Sequence, residues 1–292
     1  MNSWTPNYLL IPSLLLVLLS EVHSQKPDFS DLVYASVDGI NLQLDLYLPT
    51  QKPCSPPPPL VVWIHGGAWR SGSKSNPPIE YLLEQDFAIA SVDYRLSTQA
   101  PFPALIHDCK SAIRWLRANE DKYRYSASKI AIAGSSAGGH MVALLGVTNN
   151  SDFHEGNIGN LEQSSSVQAV INYYGPTNFL TILHQSTPHG LSVRVPALQL
   201  LLGSQPEENP SLARLASPVN HVDKGDPPLL ILHGDQDPQV PINQSHELHH
   251  QYTLKDLPVE FQVVHGGKHG GALFHSVENQ KLIINFLNKH IR

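Results

Sequence analysis

The chain has 292 residues, of which 41% are hydrophobic and 15% are charged, and its formal net charge at pH 7 is −6. That much apolar material is enough to build one large core. The mild negative charge argues against a protein whose main partner is nucleic acid or an anionic membrane surface.

Residues 1–24 have the pattern of an export signal. Apolar stretches at residues 9–11 and 14–19 are separated by Pro12, and small or modest side chains precede Gln25. The pattern departs from a typical export signal in one respect, because no Lys or Arg precedes the apolar core. The apolar core is too short for a comfortable membrane span. We therefore expect cleavage after Ser24 and a secreted or periplasmic protein with no membrane partner. A retained N-terminal anchor is the alternative.

The chain contains two cysteines, Cys54 and Cys109, which allow one disulfide in an oxidising compartment. Cys109 shares a predicted helical face with Ile106, Ile113 and Leu116. That apolar environment favours a buried free thiol over a disulfide. The sequence leaves the pairing open.

Residues 25–292 read as a single domain in which strands and helices alternate. Residues 32–37 and 42–48 alternate in polarity around the turn Asp38-Gly39, which predicts an antiparallel hairpin at the sheet edge. Residues 60–64 are apolar on both faces, as is typical of a central parallel strand. Further strands are predicted at residues 87–92, 129–133, 167–174, 229–232 and 259–264, and helices at residues 103–119 and about 273–289. This order predicts a doubly wound, mostly parallel α/β sheet with an antiparallel N-terminal edge.

Residues 176–216, which we call the cap segment, follow one of these strands. Two short apolar stretches within it are interrupted by Pro188, Pro196, Pro206 and Pro210. They predict one or two small helices and a loop, too little for a broad apolar lid. The segment also carries His184, Gln185, His189, Arg194 and Gln199. An inner surface of mixed polarity suits a small or polar ligand better than a long apolar chain.

The stretch Gly134-Ser135-Ser136-Ala137-Gly138-Gly139 lies between a predicted buried strand and a predicted helix. Strand, G-x-S-x-G and helix together form a nucleophile elbow, in which the serine stands exposed at the tip of a sharp turn. The residues two before and two after the serine nearly touch in such a turn, so both are small. The pattern predicts Ser136 as a nucleophile. A Gly/Ser turn without chemistry is the alternative.

A second glycine-rich stretch, His65-Gly66-Gly67-Ala68-Trp69, follows the strand at residues 60–64. Acyl transfer needs hydrogen-bond donors for the oxygen that becomes negative in the tetrahedral intermediate. We predict the N–H groups of Gly67, Ala68 and Ala137 as these donors, and Gly66 could replace one of them. Trp69 is predicted to line the substrate pocket, with packing in the core as the alternative.

The acid and base candidates follow the last two predicted strands. Asp235 and Asp237 compete as the carboxylate that orients the base, and Asp237 is favoured because Asp235 abuts the strand end and can cap the turn. His269 lies among glycines beyond the final strand, and His265 is the reserve candidate. The order Ser136, Asp237, His269 is the nucleophile–acid–base order of α/β-hydrolases.

Seven motifs make the chain resemble α/β-hydrolases of the carboxylesterase kind over nearly all of residues 31–292. They are His65-Gly66-Gly67-Ala68-Trp69, Asp93-Tyr94-Arg95-Leu96, Pro101-Phe102-Pro103, Gly134-Ser135-Ser136-Ala137-Gly138-Gly139, Ser217-Pro218, His233-Gly234-Asp235-Gln236-Asp237 and His269-Gly270. The chain is similar to the secreted acetyl-esterase and bifunctional xylan/feruloyl esterase group, near the hormone-sensitive-lipase-like esterases. The resemblance implies an α/β-hydrolase fold with a small cap insertion, and the triad Ser136, Asp237 and His269. It also implies acetyl or feruloyl esters of carbohydrates as substrates. Ala68 departs from the family, which usually carries a third glycine there.

Two other functions fit the same motifs. The machinery of an esterase also cleaves activated amides, so an arylformamidase or amidase is one alternative. A non-catalytic binding protein on the same fold is the other, although such proteins usually lose a triad member. Neither a cofactor nor a metal is required by the predicted chemistry. The cluster His246, His249 and His250 lacks the carboxylates that would argue for a catalytic zinc. We predict that Arg95 and Asp108 form a structural pair and that His140 also has a structural role.

Overall fold

The computed structural model describes residue 1 and residues 25–49, 56–149 and 151–292. The predicted signal, beyond Met1, and Cys54 lie outside these described residues. Whether Cys54 and Cys109 pair therefore stays open. The thiol of Cys109 is buried, and burial raises its pKa.

Within the described residues, the fold is organised around one 8-stranded sheet with the order β1-β2-β4-β3-β5-β6-β7-β8. The strands are β1 (Phe29–Val37), β2 (Ile40–Tyr47), β3 (Pro59–Ile64), β4 (Ala88–Val92), β5 (Ser126–Ser135), β6 (Ala169–Tyr173), β7 (Leu229–Gly234) and β8 (Val259–Val264). Strands β1 and β2 pair antiparallel, as do β2 and β4, and every later pairing is parallel. The predicted mostly parallel sheet with an antiparallel N-terminal edge is confirmed.

The central strands are apolar on both faces because both faces of the sheet are covered. Along β3, Leu60, Val62 and Ile64 pack into one hydrophobic cluster. The alternate residues Val61 and Trp63 pack into a second cluster on the opposite face. Side chains of a strand alternate between faces, so a strand covered on both sides has no polar face.

Helices pack on both faces of the sheet. They are α1 (Ala104–Ala118), α2 (Glu120–Tyr123), α3 (Ala137–Gly146), α4 (Asp152–Glu155), α5 (Ile182–Gln185), α6 (Pro188–Leu202), α7 (Pro210–Leu215), α8 (Asn243–Leu254) and α9 (Val277–Ile291). The last helix begins later than the predicted residue 273, because Ser276 caps its N-terminus by accepting a hydrogen bond from the N–H of Asn279. Among the helices that the structure describes, none is both long and apolar enough to cross a membrane.

The cap segment contains more regular helix than its prolines predict. Helix α6 is 15 residues long and continues through Pro196. Pro188 occupies the first turn, and Thr187 caps the helix by accepting from the N–H of Gly190 at 3.0 Å. Ser192 and Pro196 are both exposed, so water can bind the carbonyl that loses its helical partner at the proline. The expectation of only small helices was wrong for α6 and correct for α5 and α7.

Candidate active site

The predicted site residues gather at the carboxyl ends of the parallel strands. The oxyanion stretch follows β3, Ser136 follows β5, Asp237 follows β7 and His269 follows β8. These strands belong to one parallel block of the sheet, with β5 next to β3 and β8 at the outer edge. Loops at this end of a doubly wound sheet converge on one crevice, which brings residues from distant parts of the chain together.

The turn at Ser136 has the strained geometry of a nucleophile elbow. Ser136 has φ 54° and ψ −117°, which a non-glycine residue adopts at a cost of about 1–3 kcal/mol. A methyl group at Gly138 would lie 2.0 Å from the carbonyl oxygen of Ile64, and one at Gly134 would lie 2.5 Å from that of Gly138. Both positions therefore exclude a side chain, which explains the G-x-S-x-G spacing. The turn holds Ser136 at the N-terminus of α3.

Three side chains form a continuous chain of hydrogen bonds. The Oγ of Ser136 lies 2.8 Å from Nε2 of His269, and Nδ1 of the same imidazole lies 2.7 Å from Oδ2 of Asp237. With the proton on Nδ1, the imidazole donates to the carboxylate and accepts from the serine hydroxyl. This arrangement allows His269 to remove the hydroxyl proton when Ser136 attacks an electrophile.

Asp237 is fully buried and held in one orientation. Its Oδ1 accepts hydrogen bonds from the backbone N–H groups of Gln239 at 2.8 Å and Val240 at 3.0 Å. Burial would raise the pKa of this carboxyl, but hydrogen bonds to His233 and His269 outweigh it and hold the pKa well below its usual range. The carboxylate is therefore ionised where it meets the imidazole.

The rival candidates Asp235 and His265 pair with each other instead. Nδ1 of His265 lies 2.9 Å from Oδ2 of Asp235, and the His265 side chain is 84% exposed. Asp235 also accepts from the backbone N–H of Gly266 at 2.8 Å. The structure thus places two Asp–His pairs after β7 and β8, of which only the Asp237–His269 pair reaches Ser136.

The loop after β3 presents backbone N–H groups beside Ser136. Gly67 has φ 113°, and a side chain there would collide with the carbonyl oxygen of Ser71 at 2.1 Å. The carbonyl of Gly67 accepts from the N–H groups of Arg70 and Ser71, both at 3.1 Å, which fixes the turn. Ala68 adopts φ 51° with its side chain in place. In the part of the chain that the structure describes, no group accepts a hydrogen bond from the N–H of Gly67, Ala68 or Ala137. These three N–H groups are therefore available to donate hydrogen bonds to a substrate oxygen.

A cleft of about 300 Å³ opens over these groups. Its walls include Gly67 and Ala68 from the loop after β3, and Ser136 and His269. The larger side chains of the wall are polar: Arg70, Tyr174, Arg194 and Gln239. The Tyr174 ring packs edge-on against the His269 ring at 4.8 Å between centroids, which helps to hold the imidazole in place.

A family model described as BD-FAE matches residues 44–252, which include Ser136 and Asp237. The chain belongs to the BD-FAE family. Its fold and its likeness to esterases make it an α/β-hydrolase of the carboxylesterase kind, as the motifs of the sequence imply.

Several relatives of this BD-FAE protein are named as esterases. Esterase LipC of Mycobacterium tuberculosis is 32% identical over 205 residues, which are 69% of this chain and 50% of LipC. The chain thus spans about half the length of the curated relatives that it matches.

Two solved structures resemble it over nearly their whole length. A truncated carbohydrate esterase from gut microbiota has a TM-score of 0.80 and 35% identity, covering 89% of this chain and 95% of that one. Esterase Est2 of Thermogutta terrifontis, solved with propionate bound, has a TM-score of 0.70 and 26% identity, covering 88% and 92%.

Trp69 of the BD-FAE protein does not line the cleft, and that prediction was wrong. Its side chain is fully buried and packs edge-on against Phe179 and His140. Its Nε1 donates a hydrogen bond to Nδ1 of His140 at 3.1 Å. Trp69 adopts φ 60°, and its indole lies in the core.

His140 has the structural role predicted for it. The imidazole accepts from Trp69 and, through Nε2, donates to the carbonyl of Ala216 at 2.7 Å. It thereby connects α3, the loop after β3 and the end of the cap segment. Burial lowers the pKa of His140 from 6.5 to about 4, because the interior disfavours the charged form.

This buried neutral imidazole predicts a loss of stability in acid. Unfolded chain binds the proton below pH 6.5 and the folded protein only near pH 4, so stability falls as pH falls through that window. The shift amounts to about 3 kcal/mol. In urea titrations, the advantage of the wild type over His140→Gln should therefore shrink from pH 7 to pH 4. The exposed variant His189→Gln should track the wild type, and a constant gap for His140→Gln would contradict the prediction.

Other predicted residues of the BD-FAE protein also have structural roles. The Arg95 guanidinium binds the buried carboxylate of Asp108 through Nε at 2.9 Å and Nη2 at 2.7 Å, and the predicted pairing is confirmed. This pair joins the loop after β4 to α1. Within the described residues, no group of three His, Cys, Asp or Glu side chains is placed to hold a metal ion.

For three side chains around the site, the sequence indicated no individual role. The ring of His233 is buried, with Nε2 lying 3.4 Å from Oδ2 of Asp237 and donating to the carbonyl of Val240 at 3.0 Å. The signal for it was present, since it opens the motif that contains Asp237. Arg194 and Gln239 carry no comparable local motif, and only the packing of the cap segment brings Arg194 to the cleft.

Proposed function

We propose that the protein is an exported serine ester hydrolase that acts through an acyl-enzyme on short-chain acyl or feruloyl esters of carbohydrates such as xylan. The observation that carries the proposal is the hydrogen-bonded chain from Ser136 through His269 to Asp237, beside three backbone N–H groups available to an oxyanion. Export is proposed from the apolar pattern of residues 1–24.

In the first half of the reaction, His269 acts as a base. Its Nε2 takes the proton of the Ser136 hydroxyl as Oγ bonds to the ester carbonyl carbon, and the carbonyl electrons move to oxygen. The N–H groups of Gly67, Ala68 and Ala137 hold the resulting oxyanion. The imidazolium is stabilised by ionised Asp237, and it then gives its proton to the leaving alcohol as the ester C–O bond breaks.

In the second half, water releases the acid. The alcohol departs, and water takes its place near Nε2 of His269. The imidazole accepts a proton from this water as its oxygen attacks the acyl carbon, and a second oxyanion forms at the same N–H groups. When the intermediate collapses, His269 returns the proton to Ser136 and the carboxylic acid leaves. Each step uses side chains and backbone N–H groups of this chain, and water.

The size and polarity of the cleft support a small acyl group. About 300 Å³ is the lower end of the range for small-molecule sites. The wall contributed by Arg70, Arg194 and Gln239 is polar, so it does not extend an apolar surface away from Ser136. The likeness to an esterase that binds propionate and to a carbohydrate esterase supports short acyl groups on a sugar alcohol.

The acyl preference is tested with 4-nitrophenyl esters from acetyl to decanoyl. Burying one methylene stabilises a complex by about 0.8 kcal/mol, so an apolar tunnel would raise kcat/KM roughly fourfold for each added carbon. We expect kcat/KM to peak between acetyl and butyryl and then to fall, because the polar wall leaves longer chains in water. A continued rise to decanoyl would contradict the proposal and indicate a lipase.

The alcohol preference is tested separately. Acetylated xylan oligosaccharides and a feruloyl arabinose ester should be hydrolysed faster than tributyrin under equal substrate concentrations, with released acid measured in each case. A formamide and an anilide belong in the same panel, because faster cleavage of either would identify an amidase. The Ser136→Ala protein provides the blank for every substrate.

A further inference from the structure

Among the described residues, two nitrogens of the buried Arg194 guanidinium have no hydrogen-bond partner. The residue lies on α6 and is 1% exposed, yet its Nε and Nη1 are buried without a hydrogen bond to any group in the described part of the chain. It also forms part of the cleft wall over Ser136. Buried charged groups in proteins are nearly always paired, so an unpaired guanidinium at a ligand site points to a missing partner.

The nearby carboxylate does not provide that partner. Asp237 is close enough to favour the charged form of Arg194. However, its Oδ1 is taken by two backbone N–H groups and its Oδ2 by His269. The Trp69 ring lies 5.7 Å from the guanidinium carbon and supports one face of it.

A second cation lies on the same wall. Arg70 is exposed and lines the cleft, and its charge acts on Arg194. Burial lowers the pKa of Arg194 to about 10, which leaves the guanidinium protonated at neutral pH. The chain as a whole is acidic, with a net charge of −6, so a pair of arginines over the nucleophile is a local reversal of charge.

We propose that Arg194, assisted by Arg70, binds a carboxylate carried by the ester substrate, so that the enzyme prefers esters with a negative charge close to the scissile bond. This inference rests on the proposed ester hydrolysis at Ser136. A guanidinium is planar and presents parallel N–H donors that match the two oxygens of a carboxylate. The hydroxyl groups of a neutral sugar would fill the hydrogen bonds but leave the buried charge uncompensated. The carboxylate can belong to the acyl group or to the alcohol.

Two pairs of esters distinguish these sources. Mono-4-nitrophenyl glutarate is compared with 4-nitrophenyl valerate for a carboxylate on the acyl side, and 4-acetoxybenzoate with its methyl ester for one on the alcohol side. We expect kcat/KM of the wild type to favour the anionic member of at least one pair. In Arg194→Met, that anionic-to-neutral ratio should fall at least about 30-fold, as expected for loss of a buried charge partner.

The matched control is Arg214→Met, because Arg214 lies exposed on α7 of the same cap segment. This variant should keep the wild-type ratio. Arg194→Lys retains the charge without the planar donors and should give an intermediate ratio. If Arg194→Met does not fold, the wild-type ratios and Arg194→Lys still decide the question. The inference would be overturned if the wild type preferred the neutral ester in both pairs. It would also be overturned if substitution of Arg194 left the anionic-to-neutral ratio of kcat/KM unchanged.

Binding without turnover separates this inference from the proposed function. Calorimetric titration of Ser136→Ala with glutarate and with benzoate should show binding of one of them, weakened at least about 30-fold by the additional Arg194→Met change. Absence of ester hydrolysis with retained anion binding would refute the esterase proposal alone. Hydrolysis of neutral esters without anion binding would refute only the role of Arg194.

Discussion

Replacing Ser136 by alanine should lower kcat/KM for 4-nitrophenyl acetate by roughly 10⁴- to 10⁶-fold. The variant loses the oxygen that lies 2.8 Å from Nε2 of His269 and would carry the acyl group. The N–H groups beside it remain, so a small residual rate over water is expected. Replacing His269 by alanine should have a similar effect, because no other described imidazole lies within hydrogen-bonding distance of Ser136.

Ser136→Ala, His269→Ala and the variant that combines both changes should have nearly equal kcat/KM, because the two residues act as a unit. Thermal unfolding should show that each variant folds. Ser164→Ala, at an exposed serine outside the cleft, is the matched control and should retain wild-type kcat/KM. Turnover by Ser136→Ala above about 1% of the wild type would show that another group is the nucleophile.

Asp237→Asn should lower kcat by roughly 10⁴-fold. The carbonyl oxygen of the asparagine would take the position of Oδ1, where two backbone N–H groups donate to it. Its NH₂ group would then face Nδ1 of His269, which has to accept a hydrogen bond and so moves its proton to Nε2. An imidazole protonated at Nε2 cannot take the proton of Ser136.

Asp235→Asn is the matched control for Asp237→Asn. Asp235 pairs with the exposed His265 and does not touch His269, so its loss should change kcat less than about tenfold. Nitrogen-15 spectra of the histidine rings in the two variants would report the tautomer of His269 directly. A larger loss of activity in Asp235→Asn than in Asp237→Asn would contradict the assignment of the acid.

The local motifs were readable from sequence because their constraints are local. The glycines around Ser136 are required by contacts among residues 64, 134 and 138, of which two lie within the motif itself. The strands after which the motifs occur were recognisable because strands covered on both faces are apolar throughout. The fold class, the order of the motifs along the chain and the carboxylesterase family followed from these signals.

Contacts of the cap segment were not readable in the same way. Helix α6 has apolar side chains around much of its circumference, so its pattern does not indicate which face meets the cleft. Its prolines predicted interruption, but exposure of Pro196 allows the helix to continue. The role of Trp69 was equally hidden, since an aromatic residue after a glycine turn can face a pocket or the core.

The sequence by itself determined the sharp turn at Ser136 and the glycine loop at Gly67, because backbone sterics within a few residues dictate those patterns. The acyl-transfer chemistry that we propose was inferred from the same motifs. Only the tertiary structure decided that His269 meets Asp237 while His265 meets Asp235. It alone placed Trp69 in the core and Arg194 over the nucleophile. These outcomes depend on how loops and a helix from distant parts of the chain pack against one another, and no spacing within a single motif records that packing.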